Sequence, residues 1–377
     1  MAKNIVFVLH GIGEYDTDWL QADSMVAHQL RVDAKNYGFF EGKSLDTYVE
    51  FVPVLYDDVF QRILKHWSDL GEALSNAVPA MPDVAAKALE YIKKADDDKW
   101  AIKYAGDVVL YWGFRLFQQR VVLRVLSQIT QKIADTIAAS DQVPGYHILA
   151  HSLGTAVAHD SLHHLGTEDW LGALAHAPFA DPDGDVGRGD RDAYLDALER
   201  VRSEFGIANP FHPSIFQFET VSMVSNVSGL IHPSENPYHS IVRPGSASAE
   251  GAFTKNYINI NHKYDPISIA GNFKMPRAWE MQGGIDLKVD HVLYENIHSA
   301  AHYMAHPNIH LRLLQSYVDP YFASDDDVKA VTTFQRKNGI NKLANNLLKD
   351  KIKSLIDIDG EGIDKISKAI EKISQLM

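Results

Sequence analysis

Ile5-Val6-Phe7-Val8-Leu9 is an uninterrupted apolar run rich in β-branched residues, the pattern of a parallel strand covered on both faces. A glycine-bearing turn, His10-Gly11-Ile12-Gly13, follows at once, and a helical stretch is expected over 20–35. A second strand is predicted at 48–55. From 57 to about 98 the apolar period becomes helical, with Val59, Phe60, Ile63, Leu64 and Trp67 on one face. Val84, Ala88, Leu89 and Ile92 continue it past Pro79 and Pro82. Another long helix is predicted over 114–139, where Phe117, Val121, Val125, Ile129 and Ile133 share a face. A short strand at 145–150 leads into a helix of small residues at 154–165. Two more strands are expected at 221–227 and 257–261. Between them and the small-residue helix, 181–192 is acidic and glycine-rich and reads as a surface loop.

This alternation predicts an α/β fold: a mostly parallel central sheet flanked by helices. The second and third strands are separated by far more helix than a crossover needs, so a helical cap insertion is expected at about 57–140. The main domain is placed at 1–322. Beyond it, Ser324-Asp325-Asp326-Asp327 is a helix-start signal, since acidic groups are favoured at a helix N-terminus. A C-terminal helical extension over 323–377 follows, with helices near 328–337, 341–356 and 361–376.

Composition narrows the chemistry. With 46% apolar and 23% charged residues the 377-residue chain has ample material for a core. Lys plus Arg is 36 against 49 Asp plus Glu, a net charge of −13, which repels a phosphate backbone and makes nucleic acid a poor partner. There is no cysteine, so disulfides, thiolate metal sites and a cysteine nucleophile are excluded. The first apolar run is too short for a leader. The run from Val108 to Phe114 is far below a membrane span, and no transmembrane segment is expected. A cytoplasmic location is the default expectation.

The strongest chemical signal is Ala150-His151-Ser152-Leu153-Gly154, a G-x-S-x-G nucleophile elbow with alanine for its first glycine. The elbow needs small residues because the serine sits on a sharp strand-to-helix turn. That turn exposes the Ser152 hydroxyl and leaves the Leu153 N–H facing a developing oxyanion. The second signal is His10-Gly11-Ile12-Gly13, where Ile12 N–H is the candidate second oxyanion donor. A dinucleotide turn is disfavoured there, because Asp16 stands where a third glycine belongs. Gly38-Phe39-Phe40-Glu41-Gly42-Lys43-Ser44 is one residue short of a P-loop and reads as a surface turn.

The H-G segment on an early strand and A-H-S-L-G on a later strand–turn–helix resemble the α/β-hydrolase superfamily in its lipase/esterase branch. The resemblance implies the α/β-hydrolase fold, a serine hydrolase acting on carboxylic esters, no cofactor and no metal, and a triad in the order Ser, acid, His. It implies Asp265 as the acid, in Tyr264-Asp265-Pro266-Ile267 after a late strand, with Asp286 and Asp290 in reserve. For the base, His302-Tyr303-Met304-Ala305-His306-Pro307 is similar to an H-Y-x-x-x-P segment of such hydrolases. Pro307 favours the first turn of a helix, which would leave His302 in the loop entering it. His302 is therefore the expected base and His298 the alternative. The substrate implied is a small or lipid-like ester, with acyl transfer, thioester hydrolysis or a non-catalytic binding scaffold as the competing readings.

His298, His302, His306 and His310 recur every four residues, a spacing that suits zinc, but no H-E-x-x-H glutamate accompanies them. Asp181, Asp183 and Asp185 with Asp192 fit part of a calcium loop, without its glycine at position six; Asp357, Asp359 and Glu361 fit another, without its final glutamate. Trp67, Tyr111, Trp112 and Phe114 are candidate acyl-pocket or cap residues. The C-terminal stripes Leu343, Leu347, Ile352, Ile356 and Ile363, Ile366, Ile370, Ile373 leave self-association or surface docking open.

Overall fold

The computed structural model describes residues 2–11, 19–21, 25–59, 115–139, 142–167, 186–231, 240–247, 251–265, 267–268, 273–294 and 297–338. Six strands form one sheet: β1 (Asn4–Leu9), β2 (Val49–Val54), β3 (Tyr146–His151), β4 (Phe218–Val224), β5 (Thr254–His262) and β6 (Gly284–Val289). Their order is β2-β1-β3-β4-β5-β6, and every neighbouring pair is parallel.

The described helices are α1 (Val26–Ala34), α2 (Arg115–Ala139), α3 (Leu153–Thr167), α4 (Val186–Phe205), α5 (Ser228–Ile231), α6 (Arg277–Glu280), α7 (Ala300–Met304), α8 (Pro307–Tyr317) and α9 (Asp325–Asn338). They flank the sheet on both sides, and the alternation along β1 shows why. Ile5, Phe7 and Leu9 share a core with α2, α3 and α4 residues such as Val122, Leu162 and Leu198. Val6 and Val8 share the opposite core with Leu30 of α1 and Leu313 of α8. Successive side chains point to opposite faces, so a strand buried on both faces must be apolar throughout. Each fully buried Val, Leu, Ile or Phe contributes roughly 1.5–3 kcal/mol.

All five expected strands fall within three residues of their observed ends; the fourth, expected at 221–227, is shifted three residues towards the N-terminus. Strand β6 was not anticipated. It is an edge strand carrying Asp286 and Lys288, which pair at 2.9 Å, so it lacks a continuous apolar run. The 181–192 segment was expected to be loop throughout, but Val186 to Asp192 lie in α4. The helix is set by Tyr194, Ala197, Leu198 and Val201, all buried at i, i+3, i+4, i+7 and packed against α2. Asp192 is exposed and bonded to Arg191, at the position where the calcium loop would have ended. Residues 181–185, and the 357–361 loop, lie outside the described residues.

Helix α2, expected at the end of the inserted cap, packs on the sheet through Val121, Leu126 and Ile129. The rest of that insertion, 60–114 with Trp67, Tyr111, Trp112 and Phe114, lies outside the described residues, as do the helices expected beyond 338. Helix α9 starts where the sequence placed it. Ser324 Oγ accepts from Asp327 N–H at 3.2 Å while Asp327 Oδ2 accepts from Ser324 N–H at 3.1 Å, a reciprocal N-terminal cap. The near P-loop at 38–44 contains a short 3-10 turn, Gly38–Phe40. Among the described residues no helix is long and apolar enough to cross a membrane.

Candidate active site

The C-terminal ends of parallel strands converge on one edge of the sheet, which is where ligand sites form in open α/β folds. Here His10 and Gly11 follow β1, Ser152 follows β3, Ser225 follows β4, Asp265 follows β5, and His298 lies in the loop after β6.

Ser152 occupies the turn between β3 and α3 with φ of 56°. A non-glycine residue in this left-handed region carries strain of about 1–3 kcal/mol and is held there only by its surroundings. The surroundings are clear. Ser152 N–H donates to the Val224 carbonyl at 3.0 Å, and the Ser152 carbonyl accepts from Thr155 N–H at 2.9 Å and Thr155 Oγ1 at 2.6 Å. Leu153 is the first residue of α3, where helix geometry leaves amides without intrahelical partners.

Contact requires a glycine at 154 and leaves little room for a side chain at 11. A Cβ on Gly154 would stand 2.3 Å from the His10 carbonyl oxygen and 2.7 Å from that of Leu9. A Cβ on Gly11 would lie 3.0 Å from Ser152 Cβ. Helix α3 thus crosses directly over the end of β1. Gly154→Ala is expected to cost about 1–3 kcal/mol through overpacking against backbone. Urea denaturation checks this, and an unchanged midpoint would mean that the crossing is looser than described. Ile12 lies outside the described residues.

Ser152 Oγ is 2.9 Å from His298 Nε2, and His298 Nδ1 is 2.9 Å from Asp265 Oδ2. The carboxylate can only accept, so Nδ1 carries the proton and Nε2 is left to accept from the serine hydroxyl. All three side chains are buried. Asp265 Oδ2 also accepts from Tyr303 OH at 2.6 Å, Ser225 Oγ at 2.7 Å and Ser268 Oγ at 3.0 Å. Oδ1 accepts from Ile267 N–H at 2.9 Å. Burial by itself would raise this carboxyl. His298 and the hydrogen bonds from His298, Tyr303 and Ser225 outweigh burial and hold Asp265 below the ordinary carboxylate range.

His302, the expected base, is placed elsewhere, and the position beside Ser152 belongs to the alternative, His298. The reason is a helix that the sequence reading missed. Ser299 caps α7, its Oγ accepting from His302 N–H at 3.2 Å. Pro307 starts a helix, α8, as expected, but the segment entering it is itself helical, as α7. His302 is therefore helical and buried, and its Nδ1 accepts from Tyr294 N–H at 3.1 Å. Asp265 lies in the loop after β5, with its carboxylate on His298. Of the reserve acids, Asp286 of β6 accepts from Asn259 of β5 and pairs with Lys288, and Asp290 is exposed beside His291. Ser225, Ser268 and Tyr303 were not anticipated. Ser225 gives no sequence signal, although its φ of 51° marks a second strained serine at a strand end.

His262, His302 and His306 are buried, with nitrogens all within 4.8 Å of one another, close enough to raise a metal. Their hydrogen bonds oppose it. Tyr264 N–H donates to His262 Nδ1 and Tyr294 N–H to His302 Nδ1, each at 3.1 Å. A neutral ring that accepts at Nδ1 carries its proton on Nε2, so it has no lone pair there for a cation. His302 Nε2–H instead faces His306 Nε2 at 3.5 Å. Burial and the neighbouring imidazoles push His302 down to about 3 and His306 to about 2, so the cluster is neutral.

No protein-family model, curated protein or solved structure matches the chain. What the site does is therefore read from its own geometry.

Proposed function

We propose that this chain is a serine hydrolase of the α/β-hydrolase type, cleaving carboxylic esters through an acyl-enzyme. The observation that carries the reading is the relay from Ser152 Oγ through His298 to Asp265, each step 2.9 Å, with the serine held in a strained turn at a helix start. A hydroxyl is a weak nucleophile until a base takes its proton as it attacks. His298 Nε2 is positioned for that proton, and Asp265 fixes the ring tautomer and stabilises the imidazolium that forms.

In the proposed cycle Ser152 Oγ bonds to the ester carbonyl carbon as its proton passes to His298. The Leu153 amide, with Ile12 as the second proposed donor, stabilises the tetrahedral oxyanion. Collapse of the intermediate breaks the carbon–oxygen bond, and His298 returns the proton to the leaving alcohol. Water then repeats the sequence on the acyl-serine, and the acid is released. The choice of an ester substrate comes from the lipase/esterase resemblance of the A-H-S-L-G and H-G-I-G segments.

The test is labelling of the full chain by a fluorophosphonate, wild type against Ser152→Ala, beside p-nitrophenyl esters of increasing chain length. Labelling and ester turnover are expected in the wild type, and both are expected to vanish in the variant. A folded wild type that neither labels nor turns over any ester would remove the proposal.

A further inference from the structure

The chain between β6 and α7, which carries His298, is held at three backbone points by other imidazoles. His262 Nε2 is 3.1 Å from the carbonyl oxygen of His291. Tyr294 N–H points at His302 Nδ1, also at 3.1 Å. His151 Nε2 is 2.9 Å from the carbonyl oxygen of His298 itself.

Each contact fixes a proton. A carbonyl only accepts, so His262 and His151 must carry hydrogen on Nε2. An amide only donates, so His302 Nδ1 must be bare, and its proton also sits on Nε2. The bond from Tyr264 N–H to His262 Nδ1 independently demands the same tautomer. Three imidazoles, those of His262 and His302 buried and that of His151 partly buried, thus share one protonation pattern, and each spends a specific atom on the backbone of the same loop.

The His151 contact has the most direct consequence. Its residue is the neighbour of the nucleophile, and its ring lies 5.0 Å from that of His298. The bond ties the backbone of the base to the strand end that presents Ser152. His298 must meet Ser152 and Asp265 at once, and the ring can do so only if its own backbone is held in register. Errors near 1 Å in such geometry cost about 10²-fold in rate.

We propose that His151, His262 and His302 are positioning residues that clamp the base-bearing loop, each through one defined ring nitrogen. The proposal rests on the serine-hydrolase reading and deepens it: the three residues act through His298 and do not touch substrate.

Ring nitrogens can be imitated one at a time. The amide of glutamine falls near the Nε2 position of an imidazole, and that of asparagine near Nδ1. His151 works through Nε2 and His302 through Nδ1, so the rescue should cross over. In His151→Gln and His302→Asn, kcat on the best p-nitrophenyl ester is expected to stay within about threefold of wild type. In His151→Asn and His302→Gln, kcat and the fluorophosphonate labelling rate are expected to fall by about 10- to 100-fold, with KM nearly unchanged. Equal losses from both amides at each position would show that the rings merely fill space, and would overturn the clamp.

A second measurement needs no variant. Ring ¹⁵N shifts of the wild type should report His151, His262 and His302 as neutral Nε2–H tautomers. A proton on Nδ1 of His151 or His302 would overturn the clamp even where a variant fails to fold. A wild type that labels but shows no crossed rescue removes the clamp alone. A wild type that does not label removes the hydrolase reading and the clamp together.

Discussion

Replacing His298 with alanine is expected to slow phosphonylation of Ser152 and ester turnover by about 10³- to 10⁶-fold, the range for losing a triad histidine. The size follows from the proposed role: in that reading, without Nε2 at 2.9 Å nothing takes the hydroxyl proton as the carbon–oxygen bond forms. The fold should survive, because the ring sits in the loop after β6, beyond the strand ends. His302→Asn, one turn further along, should retain the greater part of the rate while preserving the acceptor for Tyr294 N–H. The ranking is the decisive result. Single-turnover labelling and circular dichroism on both variants would measure it. Near-normal labelling of His298→Ala beside a dead His302→Asn would assign the base to His302 and show that the loop is threaded differently.

That contrast also marks what the residues disclose by themselves. Ser152 is legible because an elbow is a local device: strand, small residue, serine, small residue and helix lie within a few positions. Asp265 is legible because β5 is apolar at Tyr257, Ile258 and Ile260 and breaks at an Asp-Pro pair. The choice between His298 and His302 depends on whether Ser299 or Pro307 opens the next helix. Both signals are present, and both are used, for α7 and α8 in turn. Four residues displace the ring by a helical turn, so the placement of one helix start decides which ring meets Ser152. Strand β6 and the cradle of Ser225, Ser268 and Tyr303 around Asp265 were hidden for another reason. They are defined by what they meet across the sheet, and a half-exposed edge strand or an isolated serine carries no periodic mark.

Lowering the pH from 7 to 4 is expected to unfold the protein cooperatively, with a midpoint near pH 5. Burial pushes His10, His147, His151 and His302 down to about 3, His306 to about 2 and His310 to about 4. Each folded value lies below the unfolded value of about 6.5, so between the two the unfolded chain binds more protons and stability rises with pH. Asp33 works in the opposite sense. Burial, partly offset by the hydrogen bond from Gln29, raises it to about 7, so its contribution is present below the unfolded carboxyl value and is lost as pH climbs through 7. One carboxyl cannot offset six imidazoles. Each net proton changes stability by about 1.4 kcal/mol per pH unit, against a total of about 5–15 kcal/mol for a domain. The urea midpoint should therefore fall steeply below pH 6.5, and a midpoint flat down to pH 4.5 would show that the rings titrate inside the native fold. His147 allows the cause to be isolated. It is buried beside the Tyr317 ring at 5.0 Å, and neither of its nitrogens has a hydrogen-bond partner among the described residues. His147→Leu removes a buried group whose polarity goes unsatisfied, so it should cost little at pH 7 and make the dependence on pH shallower. An unchanged slope in that variant would place the acid sensitivity in the other five rings.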